Sequence, residues 1–111
     1  MTYKGSCHCG KVAFEADGEI EEVLSCNCSI CSKRGYLHWF LPHDKVRFES
    51  PASNLATYTF KTGKYKHQFC PNCGVGPFVI GDDGIAVNVR CLEGVDPSKV
   101  KVNTFDGKSL L

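Results

Sequence analysis

Seven of the eight cysteines in this 111-residue chain fall into three tight clusters. Cys7 and Cys9 form a C-x-C pair, Cys26, Cys28 and Cys31 form C-x-C-x-x-C, and Cys70 and Cys73 form C-x-x-C. Thiolates are soft ligands suited to zinc, and sulfurs this close along a chain can reach a single ion. The two pairs together supply four sulfurs, a closed tetrahedral shell, while the trio supplies three and leaves one position free. Structural zinc sites are closed and catalytic ones keep an open position. The arithmetic therefore predicts one zinc that folds the chain and a second that meets a substrate.

Disulfides are the rival use of paired cysteines, and the spacing disfavours them. Two cysteines separated by one residue do not easily reach the geometry of an unstrained bridge, and two of the clusters contain such a pair. Residues 1–6 run straight into the first pair without the apolar stretch that leads an export signal. The expected compartment is the reducing cytoplasm, where such clusters hold metal or do chemistry. Spacing alone leaves the grouping open. Cys7 and Cys9 with Cys28 and Cys31, leaving Cys26 to the C-terminal pair, is also consistent with the sequence.

These ligands need a frame that brings distant loops together. Period-two alternation recurs at 12–16, 20–24, 36–41, 46–49, 55–60, 64–69, 78–80, 85–90 and 100–105, and sustained helical periodicity is absent. Asp17-Gly18, Thr62-Gly63, Asp82-Asp83-Gly84 and Asp106-Gly107 supply turns between them. Single helical turns are expected at 29–34, inside the trio's loop, and at 96–99. The reading is a mainly β chain of short antiparallel strands, a single domain over residues 1–111, with cysteines in its loops. Cys70-Pro71-Asn72-Cys73-Gly74 is a zinc knuckle at a strand end, and Cys7-His8-Cys9-Gly10 likewise ends in glycine. No apolar run approaches the roughly 18 residues of a membrane span, which excludes a membrane partner of that kind. The formal net charge of +1 provides no global field for polyanions, so nucleic acid is not an expected partner.

The ordered motifs are specific. Gly5-Ser6-Cys7-His8-Cys9-Gly10-Lys11-Val12, Cys26-Asn27-Cys28-Ser29-Ile30-Cys31, Phe69-Cys70-Pro71-Asn72-Cys73-Gly74 and Asn88-Val89-Arg90-Cys91-Leu92 resemble the glutathione-dependent formaldehyde-activating enzyme family. Centromere protein V shares that domain, and the resemblance covers about residues 3–106. It implies an Mss4-like, zinc-stabilised β fold. It also implies Cys7, Cys9, Cys70 and Cys73 as the structural zinc ligands and Cys26, Cys28 and Cys31 as the exposed second zinc site, two ions per chain. The implied activity is that of a carbon–sulfur lyase, joining glutathione and formaldehyde as S-(hydroxymethyl)glutathione. The expected partners are thus a small-molecule thiol and an aldehyde. Three thiolates on zinc give a net charge of −1 and a poor Lewis acid, which argues against metal-hydroxide hydrolysis and favours a thiol as fourth ligand.

Other residues are weighed against that chemistry. Cys91 sits in an apolar run, where a free thiol packs as a small hydrophobe. That reading is preferred to a fourth ligand, which would close the second site. Arg90 alternates to the opposite face and is a candidate for a substrate carboxylate, as are Lys33 and Arg34 in the trio's loop. His38 shares parity with Tyr36 and Phe40, which places it toward an aromatic-lined pocket, whereas His8 is read as facing solvent. Each of the four histidines is read first as an ordinary hydrogen-bonded side chain. The basic run at 60–67 is read as a solvated hairpin tip. The alternative function is a non-catalytic zinc-binding β module that mediates protein or nucleic-acid interaction.

Overall fold

Ten short strands build two sheets in the computed structural model, which describes residues 1–110. The smaller sheet pairs β1 (Thr2–Ser6) with β2 (Ala13–Asp17) and β2 with β5 (Val46–Phe48), all antiparallel. The larger sheet also takes β3 (Val23–Cys26), β4 (His38–Leu41), β6 (Ala56–Tyr58), β7 (Lys66–Phe69), β8 (Phe78–Ile80), β9 (Ile85–Asn88) and β10 (Val102–Phe105). Its order is β10-β3-β4-β9-β8-β7-β6. Helix is confined to short turns, chiefly α1 (Cys31–Arg34) and α2 (Gly107–Leu110). No helix among the described residues is long and apolar enough to cross a membrane.

Strand alternation gives the large sheet two faces with different work to do. Trp39, Phe78, Ile85 and Val87 face the small sheet and share a core with Val12, Phe14 and Ala16. Phe14 meets Phe78 edge-on at 5.3 Å between centroids, and Tyr3 meets Trp39 the same way at 5.6 Å. The intervening residues Val79 and Ala86 face the other side, where they pack with Tyr36, Cys26 and Cys31. Cys7 and Cys70 belong to the first core, so the two cysteine groups lie against opposite faces of one sheet.

The mainly β reading holds, with three departures. β10 runs parallel to β3, not antiparallel, because the chain reaches it by a long excursion and the Val23 N–H bonds the Lys101 carbonyl at 2.9 Å. β1 is an unexpected strand: Gly5, opposite Phe14 in the register, interrupts the alternation, and a Cβ there would overlap the Phe14 ring. The expected strand at 85–90 ends at Asn88. The Asn88 side chain accepts the Arg90 N–H at 3.2 Å and turns Val89–Cys91 into a single 3-10 turn.

Candidate metal centres and the groove beside them

The first group forms where two glycine-ended loops meet. After β1, the Cys7 N–H bonds the Val12 carbonyl at 3.0 Å; after β7, the Cys70 N–H bonds the Val75 carbonyl, also at 3.0 Å. Each loop closes through a glycine at φ +83°, Gly10 and Gly74, a conformation that side chains resist. The loops bring the sulfurs of Cys7, Cys9, Cys70 and Cys73 within 4.8 Å of one another, and Cys9 lies 3.6 Å from both Cys7 and Cys70. Tetrahedral thiolates at zinc–sulfur distances of about 2.3 Å stand about 3.8 Å apart, so this set fits a metal ion. Backbone N–H groups prepare it for charge. Val12 donates to the Cys7 sulfur at 3.3 Å, and hydrogen bonds from the backbone of Val75 and then Cys9 lower the Cys73 thiol to about 6.

The second group is built on one continuous loop. Cys26 ends β3, Cys28 follows in the turn, and Cys31 opens α1, which stops at Gly35 in the left-handed conformation. The three sulfurs lie within 4.8 Å of one another, with Cys26 and Cys31 buried and Cys28 half-buried. The Cys28 N–H points at the Cys26 sulfur at 3.4 Å. Asn27 ties the loop to the C-terminal segment, donating to Asp106 at 3.0 Å and accepting from the Lys108 N–H at 2.8 Å. The trio fits a metal ion on three sides. Among the described residues, no fourth cysteine, histidine or carboxylate joins it within that separation.

His38 stands beside the trio. It is buried on β4, and its Nε2 lies 3.3 Å from the Cys31 sulfur, where an N–H donor supports a thiolate. That assignment makes Nδ1 an acceptor, and it is a buried atom without a partner. Burial, and then the neighbouring His67, holds the His38 ring down to about 4, so it is uncharged at neutral pH. The Tyr36 ring lies 4.8 Å from His38 and 6.0 Å from His67, and Phe40 continues the stack at 5.8 Å from His38.

The trio opens into a groove of about 590 Å³ on the outer face of the large sheet. Leu24, Phe105 and Ile30 flank the cysteines, Val79 and Ala86 form part of the lining, and Phe40, Phe60 and Tyr65 line it with their rings. Its charged side chain is Asp83.

The structure gathers the seven clustered cysteines in the grouping that the family resemblance implies. Cys91 lies elsewhere, half-buried against the core that holds Cys7, its thiol pushed up to about 11 by burial. The cationic candidates for carboxylate binding do not reach the groove. Arg90 is exposed and donates from Nε to the Gly35 carbonyl at 3.1 Å, since the 3-10 turn removes it from the strand. Arg34 donates to the Tyr36 hydroxyl at 2.9 Å and lies over the Phe69 ring at 5.3 Å. With Lys33 it lines an adjoining depression of about 290 Å³ that shares Ile30 and Phe60 with the groove. His8 is exposed as expected, and His43 donates to the Gly81 carbonyl at 2.7 Å. The run at 60–67 is more than a solvated tip: Phe60, Tyr65 and His67 all line the groove. Their aromatic character was the available signal; their convergence on the trio was not in the sequence.

Two comparisons place this arrangement among known proteins. A family model described as glutathione-dependent formaldehyde-activating enzyme matches residues 2–105. The crystal structure of a Rhodobacter sphaeroides protein matches with a TM-score of 0.81 and 33% identity, covering 90% of this chain and 99% of that one.

Proposed function

This chain belongs to the glutathione-dependent formaldehyde-activating enzyme family, and on that premise we propose that it is a zinc-dependent carbon–sulfur lyase acting on a thiol–aldehyde adduct. The observation that carries the reading is the contrast between four sulfurs closed on themselves and three sulfurs open to a groove. Cys7, Cys9, Cys70 and Cys73 would hold a structural zinc, and Cys26, Cys28 and Cys31 would hold a second beside the groove. When bound there, zinc would favour the deprotonated form of a substrate thiol at neutral pH. The chain's own residues orient and shelter it. Cys26, Cys28 and Cys31 all border the groove, the His38 N–H supports the Cys31 sulfur, and the aromatic rim offers the adduct an apolar surface. In the synthetic direction a carbon–sulfur bond forms and the thiol proton ends on the former carbonyl oxygen. Glutathione and formaldehyde are the pair named by the family, and the cytoplasm supplies the reduced thiols that the site requires.

Cobalt substitution tests this, because thiolate-to-cobalt charge-transfer bands strengthen as another sulfur binds. Millimolar thiol, glutathione or a small neutral one, should strengthen the bands in native protein and leave Cys26→Ala unchanged. Formaldehyde should then be consumed faster than in thiol and buffer alone. Bands unmoved by every thiol, with no excess rate, would overturn the lyase reading in favour of a non-catalytic zinc module.

A further inference from the structure

The groove beside the trio differs in character from what a charged tripeptide thiol needs. Glutathione carries two carboxylates and an ammonium group, and sites that bind carboxylates well offer arginine or lysine at hydrogen-bonding distance. Here the charged side chain on the wall is Asp83, itself an anion. Arg34 is engaged by Tyr36 and Phe69, Arg90 by the Gly35 carbonyl, and Lys33 lies in the neighbouring depression. The lining is instead alkyl and aromatic, and Phe40 keeps 62% of its surface exposed on it. Exposed aromatics gathered around a cavity of several hundred Å³ mark a place where an apolar body displaces water.

We propose that the thiol handled at Cys26, Cys28 and Cys31 is uncharged and apolar, an alkyl or aryl thiol whose body lies along the groove against Phe40, Phe60 and Ala86. This rests on the carbon–sulfur reading above and names its substrate class. The reaction is balanced without an oxidant: the thiol sulfur bonds the aldehyde carbon, the carbonyl π pair moves to oxygen, and the thiol proton follows it. The reverse step releases both partners. A small aldehyde needs no recognition beyond the space left at the trio, so specificity resides in the thiol. Charge complementarity selects it, since Asp83 and a trio of thiolates repel carboxylates while leaving an uncharged body indifferent.

The test is calorimetric binding of ethane-, butane- and hexanethiol, 1-hexanol and glutathione to the zinc-loaded chain, with cobalt spectra alongside. Each added methylene buried in the groove should tighten binding about fourfold, corresponding to about 0.8 kcal/mol. Hexanethiol should bind at least tenfold tighter than glutathione. Phe40→Ser combined with Phe60→Ser should flatten the series, and circular dichroism would show that this doubly substituted chain is folded. Because Phe40 is largely exposed, Phe40→Ser alone provides a second, smaller measure of the same loss. Glutathione binding as tightly as hexanethiol, or a flat series in native protein, overturns the substrate class. If only glutathione strengthens the cobalt bands, the class falls while the lyase reading stands. If hexanol matches hexanethiol and no thiol moves the bands, the lyase reading falls, and the thiol assignment with it.

Discussion

Replacing single cysteines should separate the two metal groups by stability, because only one of them joins distant parts of the chain. Cys70 is fully buried, and its cluster links the loop after β1 to the loop after β7. Structural zinc contributes roughly 10–16 kcal/mol of folding free energy, against a typical domain stability of about 5–15 kcal/mol. Losing even a third of the metal's share, about 3–5 kcal/mol, removes most of what holds a domain together. At about 4 °C per kcal/mol, Cys70→Ala should melt more than about 12 °C lower or show no folded baseline. Cys28 is half-buried on a local loop, so Cys28→Ala should lose one equivalent of metal and shift melting by about 5 °C or less. Cys9→Ala is the decisive control. Cys9 is exposed, so packing gives no reason for it to matter, whereas ligation predicts that it behaves like Cys70→Ala. Thermal melts in reducing buffer, with metal analysis of each variant, measure all three. Equal destabilisation by Cys28→Ala and Cys70→Ala refutes the division of labour, and a mild Cys9→Ala beside a severe Cys70→Ala reduces the closed cluster to ordinary core packing.

Gly5→Ala should destabilise by about 1–3 kcal/mol in a chemical denaturation series, because the new methyl overlaps the buried Phe14 ring; stabilisation, the usual sign for glycine in a strand, would show that the β1–β2 contact is mistaken. Asp17 is held well below the usual carboxylate range first by hydrogen bonding to Arg47 and then by the Thr2 hydroxyl at 2.6 Å. Its contribution is therefore present above about pH 4 and lost as pH falls through the folded value. The melting difference between native chain and Asp17→Asn should be small, larger at low salt, and should shrink below about pH 4; a difference that grows on acidification would contradict that sign.

The cysteines of the closed cluster were legible as candidate ligands by their spacing, and Gly10 and Gly74 mark where the backbone must turn under the sulfurs, but which pairs share a site came from the family resemblance and not from spacing. Strand positions were legible to within a few residues for the same kind of local reason. Val79 alternates with Phe78 and Ile80, and that parity decides which core each joins. Ends set by one side chain were not. Asn88 reads as a strand residue until its amide caps the turn that carries Arg90 away, and nothing in the spacing of 85–90 reports that hydrogen bond. The parallel pairing of β10 with β3 was hidden similarly, since two short strands look alike in either direction.

The groove was the least legible part, and the reason is topological. Its walls come from the ends of β3 and β10, from β4, from the segment entering β7, and from β8 and β9. Those segments are far apart in sequence and become neighbours only through the strand order β10-β3-β4-β9-β8-β7. Parity pointed His38 toward Tyr36 and Phe40, a local relation, and the structure bears that out. The missing term was non-local: the same face of β4 adjoins the trio, so a buried histidine becomes the hydrogen-bond partner of a ligand sulfur. Charge misled for a related reason. Lys33 and Arg34 are close to Cys31 along the chain, yet α1 turns them into the neighbouring depression, while Phe60 and Tyr65, about thirty residues away, come to line the groove. Proximity in sequence to a metal ligand is thus weak grounds for assigning substrate contacts. On the proposal above, the residues that meet the thiol are those the sheet order delivers to the trio, and most of these are alkyl or aromatic.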